Sequence, residues 1–63
     1  MKNTRRFRDG EDIITVTEQN NSFLICETTN KEYNKQNTDG YWIAVEEDIQ
    51  NDIKYKGWEL IEE

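Results

Sequence analysis

The sequence predicts an all-β domain, built as a small antiparallel barrel of four to five strands. Four short runs have the β-branched and aromatic composition of strands, and polar or glycine-containing turn segments separate them. The pattern contains no long amphipathic helical period, and a single turn is the one helical signal. The predicted strands cover residues 13–18, 23–28, 40–45 and 58–61.

The first two predicted strands follow a turn at Gly10 and form a hairpin. Ile14 and Val16 alternate on one face of the first strand. The polar segment 19–22 supplies the turn, and the second strand is apolar on both faces, which favours a central place in the sheet. Residues 29–39 are polar apart from Tyr33, so they are predicted as a long loop of the kind that often carries function.

The most apolar run, residues 40–45, is predicted to present one face to the core and the other to solvent. Alternation groups Tyr41, Ile43 and Val45, and this face is the better candidate for the core. Trp42 then lies on the opposite face, partly exposed near the acids that follow. The alternative is that so small a barrel uses both faces, with Trp42 covering its open end.

Residues 46–61 are predicted to form short secondary-structure elements. Residues 46–50 favour one helical turn, which would fold Ile49 back onto the core. Residues 50–57 fit a short hairpin or loop, because Ile53 and Tyr55 alternate. A last strand over residues 58–61 would close the domain.

The composition indicates that side-chain packing alone stabilises the core. A chain of 63 residues forms a single domain, and a domain of this size buries roughly 60% of its unfolded surface. It has one cysteine and no histidine, so an internal disulfide is impossible and the commonest zinc ligand is missing. Cys26 is predicted as a small core residue, because a catalytic thiol would need a neighbouring base.

The formal charge of −6 is unevenly distributed. Residues 1–8 hold four of the eight basic residues and are predicted as a flexible or edge-pairing basic arm, whereas the domain, residues 9–63, holds all 14 acids. This acidic domain disfavours direct binding of nucleic acid. No run approaches the roughly 20 apolar residues of a membrane helix. Neither membrane contact nor a signal peptide is expected, and the expected location is the cytoplasm of a bacterium or of a phage-infected host cell.

The order of these motifs resembles that of SH3 domains over residues 7–61. In residues 7–16 an aromatic residue, a basic residue, a glycine and an acid precede an alternating strand. In residues 40–49 a glycine–aromatic strand leads into an acidic turn. The resemblance implies an SH3-like barrel with a 3₁₀ turn near residues 46–50. The same order is similar to that of small SH3-like proteins of Gram-positive bacteria and their phages, whose role is uncharacterised.

Two departures from the SH3 pattern bear on function. Six residues precede Phe7, so the usual first strand, with its aromatic-Asp-aromatic motif, is expected to be missing or replaced. SH3 domains complete their groove for proline-rich peptides with a Pro-Ser-Asn-Tyr run, whereas residues 44–47 are Ala-Val-Glu-Glu. Binding of proline-rich peptides is therefore not expected.

The motifs favour a binding role over a catalytic one. The sequence has no glycine-rich phosphate loop, no Ser/His/Asp set and no Cys/His cluster, so neither an enzyme nor a cofactor is predicted. The acidic turn lacks the alternating ligands of a calcium loop, so no metal site is predicted. A partly exposed tryptophan beside acids is typical of a protein-binding anchor. The candidate protein-binding residues are Trp42, Glu46, Glu47, Asp48 and Tyr33.

Direct nucleic-acid binding through the basic residues Lys2, Arg5, Arg6 and Arg8 is one hypothesis, which the net charge disfavours. Three further functional hypotheses remain open from the sequence. The first is a small non-enzymatic protein-binding module, for example a phage-encoded modulator or inhibitor of a host protein. The second is an acidic nucleic-acid mimic that blocks a DNA- or RNA-binding protein. The third is a self-assembling structural or virion component, in which an edge strand pairs between chains. The expected states are a monomer or a homo-oligomer formed in this way.

Overall fold

Alternating apolar residues form a five-stranded antiparallel sheet in the computed structural model, which describes residues 3–19 and 22–63. The strand order is β4-β3-β2-β1-β5, so a predominantly β fold is confirmed. Within the described residues β4 and β5 do not pair, and the sheet is open rather than closed into a barrel. The elements are β1 (Thr4–Asp9), β2 (Asp12–Glu18), β3 (Phe23–Thr28), α1 (Lys31–Gln36), β4 (Trp42–Val45), α2 (Glu46–Lys56) and β5 (Glu59–Glu62).

The core lies on one face of this sheet. The strand register places Phe7 opposite Ile14 and Val16 opposite Cys26, so their side chains stack on the same side. The predicted core position of Cys26 is confirmed, and Ile14 and Val16, which were predicted to share a face, are both buried. The predicted hairpin is also confirmed by the antiparallel pairing of β2 with β3, although Asn20 and Asn21 of its turn lie outside the described residues. The buried core residues are Phe7, Ile14, Val16, Leu24, Cys26, Ala44, Ile49 and Trp58.

Helix α2 covers the core face, and it corrects the prediction of one helical turn followed by a hairpin. The helix runs for 11 residues. Its first turn is acidic and its last turn holds Lys54 and Lys56, an arrangement that complements the helix dipole. Gly57 ends it in the left-handed conformation, with φ of 74°. Ile49 is fully buried, as predicted, and Ile53, one turn later, packs against the core.

The two faces of β4 are the reverse of the prediction. Ala44 is buried and Trp42 packs against the core, whereas Ile43 is 61% exposed and Tyr41 and Val45 are also exposed. Helix α2 begins at the residue after Val45 and packs against β4. The face that adjoins the helix therefore becomes the inner face of the strand.

Two segments, one predicted as a flexible or edge-pairing arm and the other as a long loop, form regular elements. Residues 4–8, assigned to a basic arm, belong to β1, which lies inside the sheet between β2 and β5. Of the rest of that arm, Asn3 precedes β1, and Met1 and Lys2 lie outside the described residues. Residues 31–36, predicted as part of a loop, form helix α1.

Candidate functional site

The clearest surface feature is an aromatic pair between α1 and β4. The ring centroids of Tyr33 and Trp42 lie 5.0 Å apart, with an interplanar angle of 60°. This edge-to-face arrangement is favourable, because the positive edge of one ring meets the negative face of the other. Trp42 is partly exposed, as one of the two alternatives for it predicts, but it also packs against the core; Tyr33 is half-buried as well. The structure thus brings together two of the five predicted site residues.

Side-chain amides hold Tyr33 in this position. Asn30 is the N-cap of α1, and its Oδ1 accepts a hydrogen bond from the Tyr33 backbone N–H at 2.8 Å. The Nδ2 of Asn30 donates to Oδ2 of Asp12 in β2 at 2.8 Å. At the other end, Nδ2 of Asn37 donates to the Tyr33 carbonyl at 3.0 Å. Because α1 has no buried residue, these hydrogen bonds anchor it to the sheet.

An open groove of about 500 Å³ lies beside the aromatic pair. This volume is within the range of small-molecule and side-chain binding sites, about 300–1,000 Å³. Three aromatic side chains line it (Tyr33, Trp42 and Trp58), together with the carboxylates of Asp9 and Asp52 and the ammonium of Lys56.

Two polar features of the groove bear on what it can bind. Asp52 and Lys56 lie one helical turn apart on α2, and Nζ of Lys56 is 3.4 Å from Oδ1 of Asp52. Trp58 is buried, and its indole N–H has no hydrogen-bond acceptor within residues 3–19 and 22–63. A buried donor of this kind costs free energy until an acceptor reaches it. The groove therefore combines negative charge with aromatic surface.

The predicted acids serve mainly to hold the fold together. Glu46 accepts two hydrogen bonds from Arg5, at 2.7 and 3.0 Å, and a third from Gln50 at 2.8 Å. The hydrogen bonds from Arg5 are the largest cause of a lowered pKa for Glu46. Oδ2 of Asp48 accepts from the Val45 backbone N–H at 3.2 Å, which caps α2.

The predicted site is therefore divided between two places. Glu46 lines a separate cavity with Arg5, and Glu47 is exposed on the first turn of α2. Neither Glu46, Glu47 nor Asp48 lines the groove beside Trp42. Tyr33 and Trp42 remain as the part of the predicted set that forms one site.

Seven residues of the groove were not among the predicted site residues. Four of them supply its charged groups and its third aromatic ring, namely Asp9, Asp52, Lys56 and Trp58. Asp52 and Lys56 have the i,i+4 spacing of a helical ion pair, which was a usable signal once the helix was recognised. Asp9 and Trp58 are distant from Trp42 in sequence. The pairing of β1 with its neighbours places Asp9 beside the groove, and the end of α2 places Trp58 there. No local sequence pattern predicts that these residues lie close to Trp42.

A second surface, here called the outer apolar face, lies on the other side of β3 and β4. The register pairs Phe23 with Val45 and Ile25 with Ile43, so these four side chains share one face. Phe23 is 51% exposed. Since β4 pairs with β3 alone among the described strands, this apolar face borders a sheet edge.

Three further features were looked for in the described residues and in known proteins: a metal-binding cluster, a membrane-spanning helix and a related protein. Within the described residues no group of three or more His, Cys, Asp or Glu side chains is arranged to hold a metal ion. Neither α1 nor α2 is long and apolar enough to cross a membrane, and the same holds for the rest of the described chain. Comparison with protein families, curated proteins and solved structures yields no match.

Proposed function

We propose that this chain is a small non-enzymatic protein-binding module that uses the groove beside Tyr33 and Trp42. The aromatic pair is the observation that supports the proposal most strongly. Aromatic side chains that are half-buried and already packed lose little conformational freedom on binding, which is why they dominate binding energy at protein interfaces. Asn30 donates a hydrogen bond to Asp12 and accepts one from the Tyr33 backbone N–H. These two hydrogen bonds position Tyr33 beside Trp42 before a partner binds.

A binding role also agrees with the state of the one thiol. Cys26 is fully buried, and burial raises its pKa to about 11. A nucleophilic cysteine needs the thiolate at neutral pH and access to substrate. Cys26 therefore supports the core rather than a reaction.

The test is capture of a partner with matched variants. The immobilised protein is exposed to lysate of a Gram-positive bacterium, the source that the hypothesis of a phage-encoded modulator of a host protein favours. A stoichiometric partner should be retained at near-physiological salt and lost with Tyr33→Ala and Trp42→Ala. Because α1 has no buried residue, Tyr33→Ala leaves the core intact even if Trp42→Ala weakens it.

The control is Tyr55→Ala, which removes an aromatic ring that is 74% exposed and does not line the groove. This variant should capture the partner as well as the unaltered protein does. Capture that survives both groove substitutions would contradict the proposal, as would the absence of any partner.

Self-assembly is a second candidate, and the outer apolar face favours it. Ile43, the most exposed member of that face, lies in the edge strand β4. Pairing of β4 between two chains would cover Ile43 and Val45 and would satisfy free backbone groups of the edge. Size-exclusion chromatography with light scattering should then show a dimer or larger species that Ile43→Lys converts to a monomer. A monomer at all concentrations would exclude this candidate.

Nucleic-acid mimicry has less support. A mimic needs unpaired carboxylates that can replace phosphates, but Arg5, Arg6 and Arg8 pair with Glu46, Glu62 and Glu59 at 2.7, 2.8 and 3.8 Å. These pairs neutralise part of the acidic surface. This candidate would gain support if DNA competed with this protein for the captured partner and if binding of the partner weakened steeply with salt.

A further inference from the structure

We infer that the groove receives a basic side chain, lysine or arginine, carried by a peptide segment of the partner. The inference rests on the proposed function and adds the chemistry of the ligand. The cation would lie against the rings of Tyr33 and Trp42 and near the carboxylates of Asp9 and Asp52, all of which line the groove. Aromatic faces and carboxylates both favour a cation, the first through the ring quadrupole and the second through direct charge.

The protein's own Lys56 shows that the site accepts a cation. Its Nζ lies 3.4 Å from Asp52, and its side chain is 64% exposed. Because the lysine end of this i,i+4 pair is largely in solvent, the pair contributes little to stability, and an incoming cation can replace Lys56 at small cost. Lys56 thus acts as an internal competitor for the position that the partner's side chain would occupy.

Two further observations favour a peptide over a free cation. A peptide can pack its backbone and side chains on the three aromatic residues of a groove of about 500 Å³, whereas a free cation fills little of that volume. The net charge of −6 attracts basic segments over a distance, which speeds their association at low salt.

The experiment compares two peptides of the same shape. Acetylated and amidated Gly-Gly-Arg-Gly-Gly is titrated into the full chain at low salt, and binding is followed by tryptophan fluorescence, since both tryptophans line the groove. The same peptide with citrulline in place of arginine keeps the shape but has no charge. We expect the citrulline peptide to bind about tenfold more weakly, because it loses both the cation–aromatic and the ionic contact.

Charge variants of the protein provide the matched controls. Asp52→Asn should weaken binding of the arginine peptide about threefold, and Lys56→Met should strengthen it by a similar factor. Asp39→Asn and Lys54→Met make the same charge changes outside the groove and should alter binding less. The three substitutions on α2, at Asp52, Lys54 and Lys56, replace charged side chains that are not buried, so the fold should tolerate them.

The outcomes separate this inference from the proposed function. Equal binding of the arginine and citrulline peptides would overturn the basic-side-chain inference while leaving the groove as a peptide site. Equal effects of Asp52→Asn and Asp39→Asn would overturn it as well, because only general charge would then matter. Failure of both peptides to bind would also overturn it, and the partner-capture experiment with Tyr33→Ala decides the proposed function on its own.

Discussion

Tyr33 and Trp42 meet edge to face with 5.0 Å between ring centroids, although one belongs to a short helix and the other to an edge strand. The contact closes one side of a groove that the end of α2 and Trp58 complete. Its geometry depends on Asn30, which joins the start of α1 to Asp12 of β2. The groove is therefore positioned by polar contacts on the periphery of an apolar core.

Asn30→Ala should disturb the groove without altering any ring. Loss of this N-cap costs about 0.5–2 kcal/mol in helices generally, and here it also frees Tyr33 from its position. We expect a change in tryptophan fluorescence and weaker peptide binding, together with a modest fall in urea midpoint. Gln36→Ala, at an exposed position of the same helix, is the control and should leave fluorescence unchanged. Unchanged fluorescence in Asn30→Ala would show that the cap does not position Tyr33.

The ion pair of Arg5 with Glu46 should make stability depend on acidic pH. Hydrogen bonds from Arg5 lower the pKa of Glu46 in the folded protein. The stabilisation is therefore complete above the pKa of the unfolded chain and is lost as pH falls through the lower folded value. Because both side chains are partly exposed, the pair should contribute only about 0.2–1 kcal/mol.

Thermal unfolding of Glu46→Gln across the acidic range measures this contribution. The variant should be less stable than the unaltered protein at neutral pH, and the difference should shrink below the ordinary carboxyl pKa. Glu47→Gln changes the neighbouring exposed acid and serves as the matched control. If both variants lose stability with the same pH profile, the pairing with Arg5 is not responsible.

Cys26 should be protected from thiol reagents in the folded protein. Its side chain is fully buried, and burial, with smaller effects from Asp52 and Asp48, raises its pKa to about 11. Labelling at pH 8 should be at least about a hundredfold slower than in urea, because thiolate is scarce and the sulfur is inaccessible. Native and unfolded protein that label at the same rate would place the thiol outside the core.

Helix α2 illustrates what sequence patterns can and cannot predict here. Acids at its start, Lys54 and Lys56 at its end, and Gly57 after it are standard helix boundary signals. Ile49 and Ile53 also have helical spacing. The segment nevertheless suggested a hairpin, because Asn and Asp favour turns and the alternation of Ile53 with Tyr55 imitates a strand. The predicted burial of Ile49 was correct, since one turn of helix already directs it to the core.

The faces of β4 could not be chosen from local sequence. Alternation correctly groups Tyr41, Ile43 and Val45, but both faces of the strand are apolar, so period two alone cannot tell which one is covered. The choice depends on the side where α2 packs, and that is a tertiary contact. Local sequence patterns do not show tertiary contacts, which also explains why Trp42 was recognised as a site residue while Asp52, Lys56 and Trp58 were not. They reach the groove only through the helix and the final turn.

Chemical-shift mapping by ¹⁵N NMR, with the arginine pentapeptide as ligand, tests the central claim most directly. If the groove is the binding surface, the largest shifts should fall on the backbone amides of Thr28, Asn30 and Tyr33 and on the indole signals of Trp42 and Trp58. The signals of the outer apolar face, Phe23 and Ile43 among them, should stay in place. Shifts confined to that outer face, or no shifts at all with peptide in excess, would contradict the account.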